Sequence, residues 1–257
     1  MPVRTLHFPP AEVRVFPDVI SLNNAGAAEF ARTAREAVDA QGRFAVALAG
    51  GSTPRGVYSQ LATEEQSGTN RLPWDRIHVF FGDERCVPPD HAESNFRMAS
   101  ESLLARVPIP PANVHRLQGE DDPERAAEAA ERDLRGFFRT GPPRFDLILL
   151  GLGTDGHTAS LFPETEALRE TDRPVIANWV PKLNAYRLTL TFPVLNHVAE
   201  VVFLVTGVEK AKVLRETLQP SADSPAHPAR SVHPTRGRLL WLVDEAAAGE
   251  LEPARGQ

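Results

Sequence analysis

Two side chains able to do acid–base chemistry lie in a glycine-rich loop that follows an apolar run. In FDLILLGLGTDGHTASLFP, residues 145–163, Asp155 and His157 are two residues apart. A histidine beside a carboxylate is typical of a general base. The same loop contains G-x-G-x-x-G from Gly151 to Gly156, the pattern of a dinucleotide-binding turn. The residues therefore indicate either a catalytic loop or a cradle for a nicotinamide cofactor.

The residues after this loop favour the catalytic interpretation. A dinucleotide site needs a helix that opens at the third glycine and an acidic residue about 20 residues later, at the tip of the next strand. Pro163 limits any helix here to about two turns, and the apolar run PVIANWV ends without an acidic residue. We therefore expect a histidine base, no cofactor and no metal. The other seven histidines are scattered without metal-ligand spacing and are interpreted as structural.

A second loop, between the apolar run FAVALA and a helical pattern, has the composition of an anion-binding turn. It consists of Gly50, Gly51, Ser52 and Thr53, and Pro54 suits the first turn of the helix that follows. Glycines let backbone N–H groups approach an anion, and the helix N-terminus adds positive potential. The alternative is a tight strand–helix turn with a Ser or Thr cap. No Gly-Lys-Ser/Thr follows, so this is not a Walker loop.

Further charged candidates follow other apolar runs. Asp83 could orient a substrate hydroxyl or the histidine, and Arg85 could bind phosphate or polarise a carbonyl; the alternative is a surface ion pair. Arg187 and Lys210 complete the positive candidates. Lys210 lies at the start of a predicted helix, where the helix dipole disfavours a cation. An adjacent anion would remove that penalty, whereas a solvated surface lysine is the alternative.

The elements that must position these loops alternate between strands and helices. Strands are predicted at residues 13–16, 44–51, 77–83, 114–117, 145–151, 186–192, 200–207 and 238–244, and helices at 24–38, 54–62, 94–105, 123–138 and 209–218. This alternation predicts one α/β domain over residues 1–257, with a mostly parallel, doubly wound, Rossmann-like sheet flanked by helices. Ligands of such sheets bind at the carboxyl ends of the strands, so the polar loops should meet there.

Composition limits the kinds of partner. The net charge of −6 and the pI near 5.8 argue against nucleic-acid or membrane-surface binding, so local cations must hold any anionic substrate. No apolar run is long enough to span a membrane, and we expect a cytoplasmic protein. The single cysteine, Cys86, excludes an intramolecular disulfide and is interpreted as a buried or half-buried small side chain, with a nucleophile as the alternative. The oligomeric state is left open, and a monomer is compatible with the sequence.

Taken together, the motifs resemble the 6-phosphogluconolactonase family, a branch of the glucosamine-6-phosphate isomerase/6-phosphogluconolactonase superfamily. The similar segments run in order over most of the chain: LAGGSTPRGVY (48–58), FFGDERCVPPDHAESN (80–95), FDLILLGLGTDGHTASLFP (145–163), RLTLTFPVLN (187–196), the G-x-x-K at 207–210 and WLVDEAA (241–247).

The resemblance implies hydrolysis of 6-phospho-D-glucono-1,5-lactone to 6-phospho-D-gluconate, in the oxidative branch of the pentose phosphate pathway, without metal or cofactor. It implies that His157 activates water and that Asp155, Asp83 or both position the sugar or the imidazole. The Gly50–Thr53 backbone, Arg187 and Lys210 would hold the phosphate, and Arg85 would join them or face the carbonyl.

Three other functions are considered. The sibling deaminases typically continue Asp-Gly-His as Ile-Ala-Phe-Asn-Glu, whereas this chain continues as Thr158-Ala-Ser-Leu-Phe-Pro, the lactonase form. A non-catalytic sugar-phosphate sensor would share the fold, but such proteins usually carry a DNA-binding segment, and none is visible here. A nicotinamide-dependent oxidoreductase is disfavoured by the features of the 145–163 loop given above.

Overall fold

The computed structural model describes residues 1–139 and 141–252. Its strands are β1 (Arg4–Phe8), β2 (Ala11–Phe16), β3 (Phe44–Leu48), β4 (Ile77–Phe81), β5 (Asp83–Arg85), β6 (Leu147–Leu150), β7 (Val175–Val180), β8 (Ala185–Leu190), β9 (Glu200–Val205) and β10 (Arg238–Asp244). Its α-helices are α1 (Val19–Gln41), α2 (Ser52–Ser67), α3 (Asn95–Ser102), α4 (Pro123–Phe138), α5 (Phe192–Leu195) and α6 (Ala211–Leu218). None of these helices is long and apolar enough to cross a membrane.

The main sheet has seven strands in the order β1-β2-β10-β9-β6-β3-β4. Only the β1–β2 pair is antiparallel, and the other five pairs are parallel. Every residue of β3, β6 and β9 is buried, which explains why all of them except Glu200 are apolar, with no alternation. The predicted α/β fold, with a mostly parallel sheet flanked by helices, is therefore confirmed.

A second, smaller sheet was not indicated by the sequence. Residues 186–192 are predicted as a strand, and most of them form β8, but β8 lies between β5 and β7 in a separate antiparallel sheet. A backbone hydrogen bond of 2.8 Å from the Leu190 N–H to the Gly82 carbonyl joins this sheet to the loop after β4. The small sheet therefore lies against the end of the main sheet where polar loops were predicted to meet.

One predicted strand is wrong, and two predicted helices, at 24–38 and 54–62, are longer than expected. Residues 114–117 make only an isolated bridge between Val114 and Val79, so this segment forms no strand. The helix predicted at 24–38 begins earlier, at Val19, because the Asp18 side chain accepts a 2.7 Å hydrogen bond from the Ser21 N–H and caps the helix.

One hydrophobic core cluster contains residues from Ala11 to Leu251. Its largest buried side chains include Trp74 and Trp241, and the Trp241 ring stacks on Phe203 at 3.8 Å between ring centres. A single continuous core favours one domain, and the single-domain organisation stays a prediction. The core fixes four adjacent parallel strands, β9, β6, β3 and β4, whose carboxyl ends open on one side of the sheet.

Candidate active site

A cavity of about 600 Å³ lies at the carboxyl ends of β9, β6, β3 and β4. Its wall includes all ten residues that the sequence singled out: Gly50, Gly51, Ser52, Thr53, Asp83, Arg85, Asp155, His157, Arg187 and Lys210. They come from five separate segments, and the fold brings them together at the place that the strand directions predict. Cys86 is half-buried outside this wall, and burial raises the pKa of its thiol, which disfavours the reactive thiolate.

The glycines of the 151–156 pattern serve the loop itself. A Cβ atom on Gly153 would lie 2.1 Å from Nδ1 of His157. Gly156 has φ +79°, in the left-handed region that favours glycine, and a Cβ there would lie 2.2 Å from Nδ1 of His227. Turns rather than a helix follow Gly156. The glycines thus make room for two imidazole rings, and the helix that a dinucleotide site requires does not form.

Asp155 lies between a histidine and a lysine. Its Oδ1 is 2.5 Å from Nδ1 of His157, and its Oδ2 accepts a 2.8 Å hydrogen bond from Nζ of Lys182. Burial alone would raise the pKa of Asp155, but the hydrogen bonds from Lys182 and His157 outweigh burial and lower that pKa well below its usual range. Asp155 is therefore a carboxylate at neutral pH.

The charge on Asp155 determines which nitrogen of His157 carries the proton. Because a carboxylate can only accept hydrogen bonds, Nδ1 of His157 must be the donor. In the neutral imidazole Nε2 is then the acceptor, and no hydrogen bond to Nε2 occurs within the described part of the chain. The ring also stacks on Phe162, at 4.0 Å between centres and 23° between planes. His157 is thus oriented with a basic nitrogen available in the cavity.

The Asp83 side chain forms hydrogen bonds to two other segments of the cavity wall. Its side chain is nearly buried; Oδ2 accepts a 2.6 Å hydrogen bond from Ser160 Oγ, and Oδ1 accepts one of 3.1 Å from Asn95 Nδ2. Between Asp83 and His157 the described structure has no hydrogen bond. The geometry therefore makes Asp83 a link between the loop after β6 and the start of α3, and gives no contact through which it would orient the imidazole.

Apart from Lys182, which pairs with Asp155, the cations of the cavity have no carboxylate partner among the described residues. Arg85 of β5 lies directly opposite Arg187 of β8, and burial together with the positive charge of Arg85 lowers the pKa of Arg187. The two guanidinium groups donate to backbone carbonyls, of Glu93 and Tyr186 respectively.

Among the described residues, neither these arginines nor Lys210 forms a salt bridge. Three cations that line one cavity without paired carboxylates have the charge that would suit an anion.

The first turn of α2 adds backbone donors to the same cavity. Gly51, with φ +103°, is the N-cap residue, and no side chain caps the helix. The alternative of a Ser or Thr cap therefore does not apply, and Ser52 and Thr53 belong to the helix itself. Gly50 allows close packing, because a Cβ there would lie 2.0 Å from Oδ1 of Asn95. Free N–H groups at a helix N-terminus suit an anion.

Several cavity residues were missed by the sequence reasoning. Lys182 comes from the turn between β7 and β8, and the rarity of lysine, with three in the chain, was the available signal. Asn95 lines the cavity as the first residue of α3, whose N-cap is Ser94. Next to Asp83, Glu84 accepts hydrogen bonds from the N–H groups of Asn95 and Phe96, although its burial raises its pKa.

Within residues 1–139 and 141–252, no group of three or more His, Cys, Asp or Glu side chains is arranged to hold a metal ion.

The fold and the cavity define an α/β protein in which an oriented histidine and a group of cations line one cavity. A family model described as glucosamine-6-phosphate isomerases/6-phosphogluconolactonase matches residues 17–241 of the chain. The chain therefore belongs to this family.

Named relatives agree with that assignment. The 6-phosphogluconolactonase of Nostoc sp. is 45% identical over 219 residues, which cover 84% of this chain and 88% of the relative. The 6-phosphogluconolactonase of Mycobacterium leprae is 38% identical over 251 residues, which cover 94% and 98%. The solved structure of 6-phosphogluconolactonase from Trypanosoma cruzi has a TM-score of 0.83 at 29% identity, over 96% of this chain and 99% of that chain. These similarities make the chain an enzyme of the 6-phosphogluconolactonase type.

Proposed function

We propose that the protein hydrolyses 6-phospho-D-glucono-1,5-lactone to 6-phospho-D-gluconate, with His157 as the base that activates water. One observation carries the proposal: a histidine oriented by a carboxylate lines the same cavity as three cations without carboxylate partners. The names of the relatives support this substrate and a place in the oxidative branch of the pentose phosphate pathway.

The unpaired cations are the proposed phosphate site. Arg187, Lys210 and the first-turn N–H groups of α2 bind the phosphate, and Arg85, opposite Arg187, joins them or faces the lactone carbonyl. Each charge-assisted contact contributes about 1.5–3 kcal/mol, so two or three of them suffice to anchor a dianion on an acidic protein. The phosphate would also neutralise the repulsion between the two arginines.

The proposed chemistry needs one proton carrier. Nε2 of His157 takes a proton from a water molecule whose oxygen attacks the lactone carbonyl carbon, and a tetrahedral oxyanion forms. As this intermediate collapses, the bond between that carbon and the ring oxygen breaks, and the imidazolium returns the proton to the ring oxygen. The Asp155 carboxylate stabilises the transient imidazolium through Nδ1. A six-membered lactone is an activated ester, so this step needs no covalent nucleophile.

Deamination of the kind performed by the sibling enzymes is not favoured by the loop after His157. The glutamate typical of those enzymes is missing from Thr158-Ala-Ser-Leu-Phe-Pro. Thr158 and Ser160 are buried, and their hydroxyls are already bonded to the Gly151 carbonyl and to Asp83. These side chains hold the loop together and offer no carboxylate for ring-opening chemistry.

The proposal is tested by following lactone loss after 6-phosphogluconolactone is generated in place, against the spontaneous rate. We expect strong acceleration by the protein and a loss of about 10²–10⁴ in kcat for His157→Ala, since the base is removed. His7→Ala, an exposed position on β1, is the matched control and should keep full activity. A His157→Ala variant with near-normal turnover would disprove the role of the base. No acceleration by the unchanged protein, with ammonia released from glucosamine 6-phosphate, would replace the proposal with the deaminase function.

The expected location and assembly state belong to the same proposal. We expect the reaction to take place in the cytoplasm; the oligomeric state is left open, and a monomer is compatible with the proposal. Cell fractionation and light scattering after size exclusion would measure the two properties separately.

A further inference from the structure

A proline-rich segment after α6 packs against the back of the catalytic loop. Its short 3-10 helix, Pro228–Ser231, places the Ala229 N–H 2.9 Å from the Gly156 carbonyl, as a hydrogen-bond donor. The His227 ring lies so close to Gly156 that a Cβ atom on the glycine would be 2.2 Å from Nδ1 of that ring. Residue 156 stands between Asp155 and His157 in the chain. The segment therefore holds the centre of the catalytic loop by two separate contacts.

His227 is itself held in place from the other side. Its side chain is 7% exposed, and its Nε2 lies 3.0 Å from Oε2 of Glu216 on α6. The second oxygen of Glu216 faces Arg215 and Lys212, at 3.7 and 3.9 Å. Nε2–H donates to the Glu216 carboxylate, and Nδ1, on the other side of the ring, lies against Gly156. A buried imidazole with both sides occupied is a rigid support.

The loop needs such a support because glycine alone does not fix its conformation. Gly156 has φ +79°, and a glycine reaches this region and the usual negative values with similar ease. A rotation at residue 156 would change the direction of His157 relative to Asp155, and with it the 2.5 Å contact that orients the imidazole. The His227 ring occupies the space into which the loop would move.

We propose that His227, anchored by Glu216, is a positioning residue for His157. It acts through Gly156 and does not touch the substrate cavity, whose wall does not include it. This inference rests on the proposed role of His157 as the base. It separates His227 from the other scattered histidines, all of which were interpreted as structural.

The test compares four variants with the unchanged protein. His227→Ala removes the support, Glu216→Ala leaves the imidazole but removes its anchor, and His227→Gln can still donate to Glu216. His233→Ala, an exposed loop position, is the matched control. We expect kcat to fall about 10- to 100-fold in His227→Ala, because a small misplacement of a reacting group has effects of this size.

The other readouts separate positioning from general damage. KM for the lactone should stay within about two-fold, because His227 lies outside the cavity wall that contains the proposed phosphate site. Glu216→Ala should lose kcat in the same direction but less, His227→Gln should recover part of the loss, and His233→Ala should match the unchanged protein. Nitrogen NMR of the His157 ring should show the Nδ1–H form in the unchanged protein and a mixture of tautomers in His227→Ala.

Unchanged kcat in both His227→Ala and Glu216→Ala, or a rise in KM with kcat preserved, would overturn the inference. If His227→Ala does not fold, Glu216→Ala decides, because alanine suits its helical position. If the unchanged protein shows no lactonase activity, the proposed function fails, while the tautomer of His157 in each variant still reports whether His227 positions it. An unaltered tautomer in both variants would then refute the positioning role.

Discussion

The two ends of the main sheet carry charge in opposite arrangements. At the amino ends of β2, β9 and β10, with α1 beside them, three arginines each have carboxylates within 4 Å. This ion network consists of six residues: Glu12, Arg14, Glu29, Arg32, Glu200 and Arg238. At the carboxyl ends, Arg85, Arg187 and Lys210 line the cavity with no salt bridge among the described residues. The same residue types therefore serve two different purposes in one fold.

The difference teaches how to distinguish structural charge from functional charge. In the ion network three arginines balance three glutamates, and Glu29 and Glu200 are nearly buried. Burial alone would raise the pKa of Glu29, but the surrounding arginines lower it, so the glutamate remains charged. In the cavity the positive charge stays unbalanced, which is unfavourable until an anion binds. Half-buried cations without a paired carboxylate among the described residues, rather than the number of charges, mark the candidate site.

The largest expected effect is a loss of stability on substitution of an arginine in the ion network. Arg238→Met leaves Glu200 and Glu29 with fewer partners, and we expect the free energy of unfolding to fall by about 3 kcal/mol, because one partner of a buried ion cluster is lost. Arg76→Met, which removes an exposed pair with Asp75, should change it by about 0.5 kcal/mol or less. Urea unfolding measures both, and kcat should stay unchanged. Equal losses in the two variants would show that the ion network is no more important than a surface pair.

For an arginine of the cavity we expect the opposite: activity falls, and stability is retained. Arg187→Met should lower kcat/KM for 6-phosphogluconolactone about 10- to 100-fold, the equivalent of one charge-assisted contact. The free energy of unfolding should not fall, because the repulsion between Arg187 and Arg85 is removed. Hydrolysis of the unphosphorylated lactone serves as the control and should be little affected. An Arg187→Met variant with a lower free energy of unfolding but an unchanged kcat/KM would mean that this arginine is structural.

Acid should lower the stability of the folded protein through the ion network. The ion network holds the pKa values of Glu12 and Glu29 below their ordinary 4.5. A lowered pKa stabilises the folded state at pH values above the unfolded pKa, and this stabilisation is lost as the pH falls through the folded-state pKa. We expect the urea midpoint to fall as the pH decreases below about 4.5, and to fall less in Arg238→Met. An equal pH dependence in the two proteins would remove the ion network from the account of acid sensitivity.

The smallest effect is expected from the exposed lysine beside Asp155. The Lys182 side chain is 65% exposed, and exposed ion pairs contribute about 0.2–1 kcal/mol, so Lys182→Met should lower kcat at most about five-fold. His157 still donates to Asp155 and keeps its carboxylate ionised. Measurement of kcat at neutral pH, beside Arg132→Met in an exposed pair with Glu128 as control, would check this. A loss as large as that of His157→Ala would give Lys182 a direct part in the chemistry.

The main features of the site could be predicted from local sequence. The runs FAVAL and LILL are apolar throughout, which indicates strands buried on both faces, and β3 and β6 are such strands. Once these strands are parallel, the loops after them must meet at one end of the sheet. That rule alone brings Gly50, Asp83 and His157 to one cavity, although they are far apart in the chain.

The contacts that could not be predicted depend on long-range packing. The sequence of residues 186–192 predicts a strand but does not say with which strands it pairs. Its pairing with β5 and β7 in a separate sheet depends on the tertiary packing of the chain. Lys182 reaches Asp155 only because this sheet folds over the cavity. The wrong strand at 114–117 has the same cause, because its apolar residues suit a strand but only Val114 finds a partner. His227 is found only once the fold places it beside Gly156.

The central claim is that the unpaired cations hold the phosphate while His157 faces the reacting carbon. A crystal structure of the protein with 6-phosphogluconate bound tests it most directly. We predict phosphate oxygens about 3 Å from the side-chain nitrogens of Arg187 and Lys210, and the carboxylate of the product facing Nε2 of His157. A phosphate bound beside His157, or a product bound outside this cavity, would contradict the account.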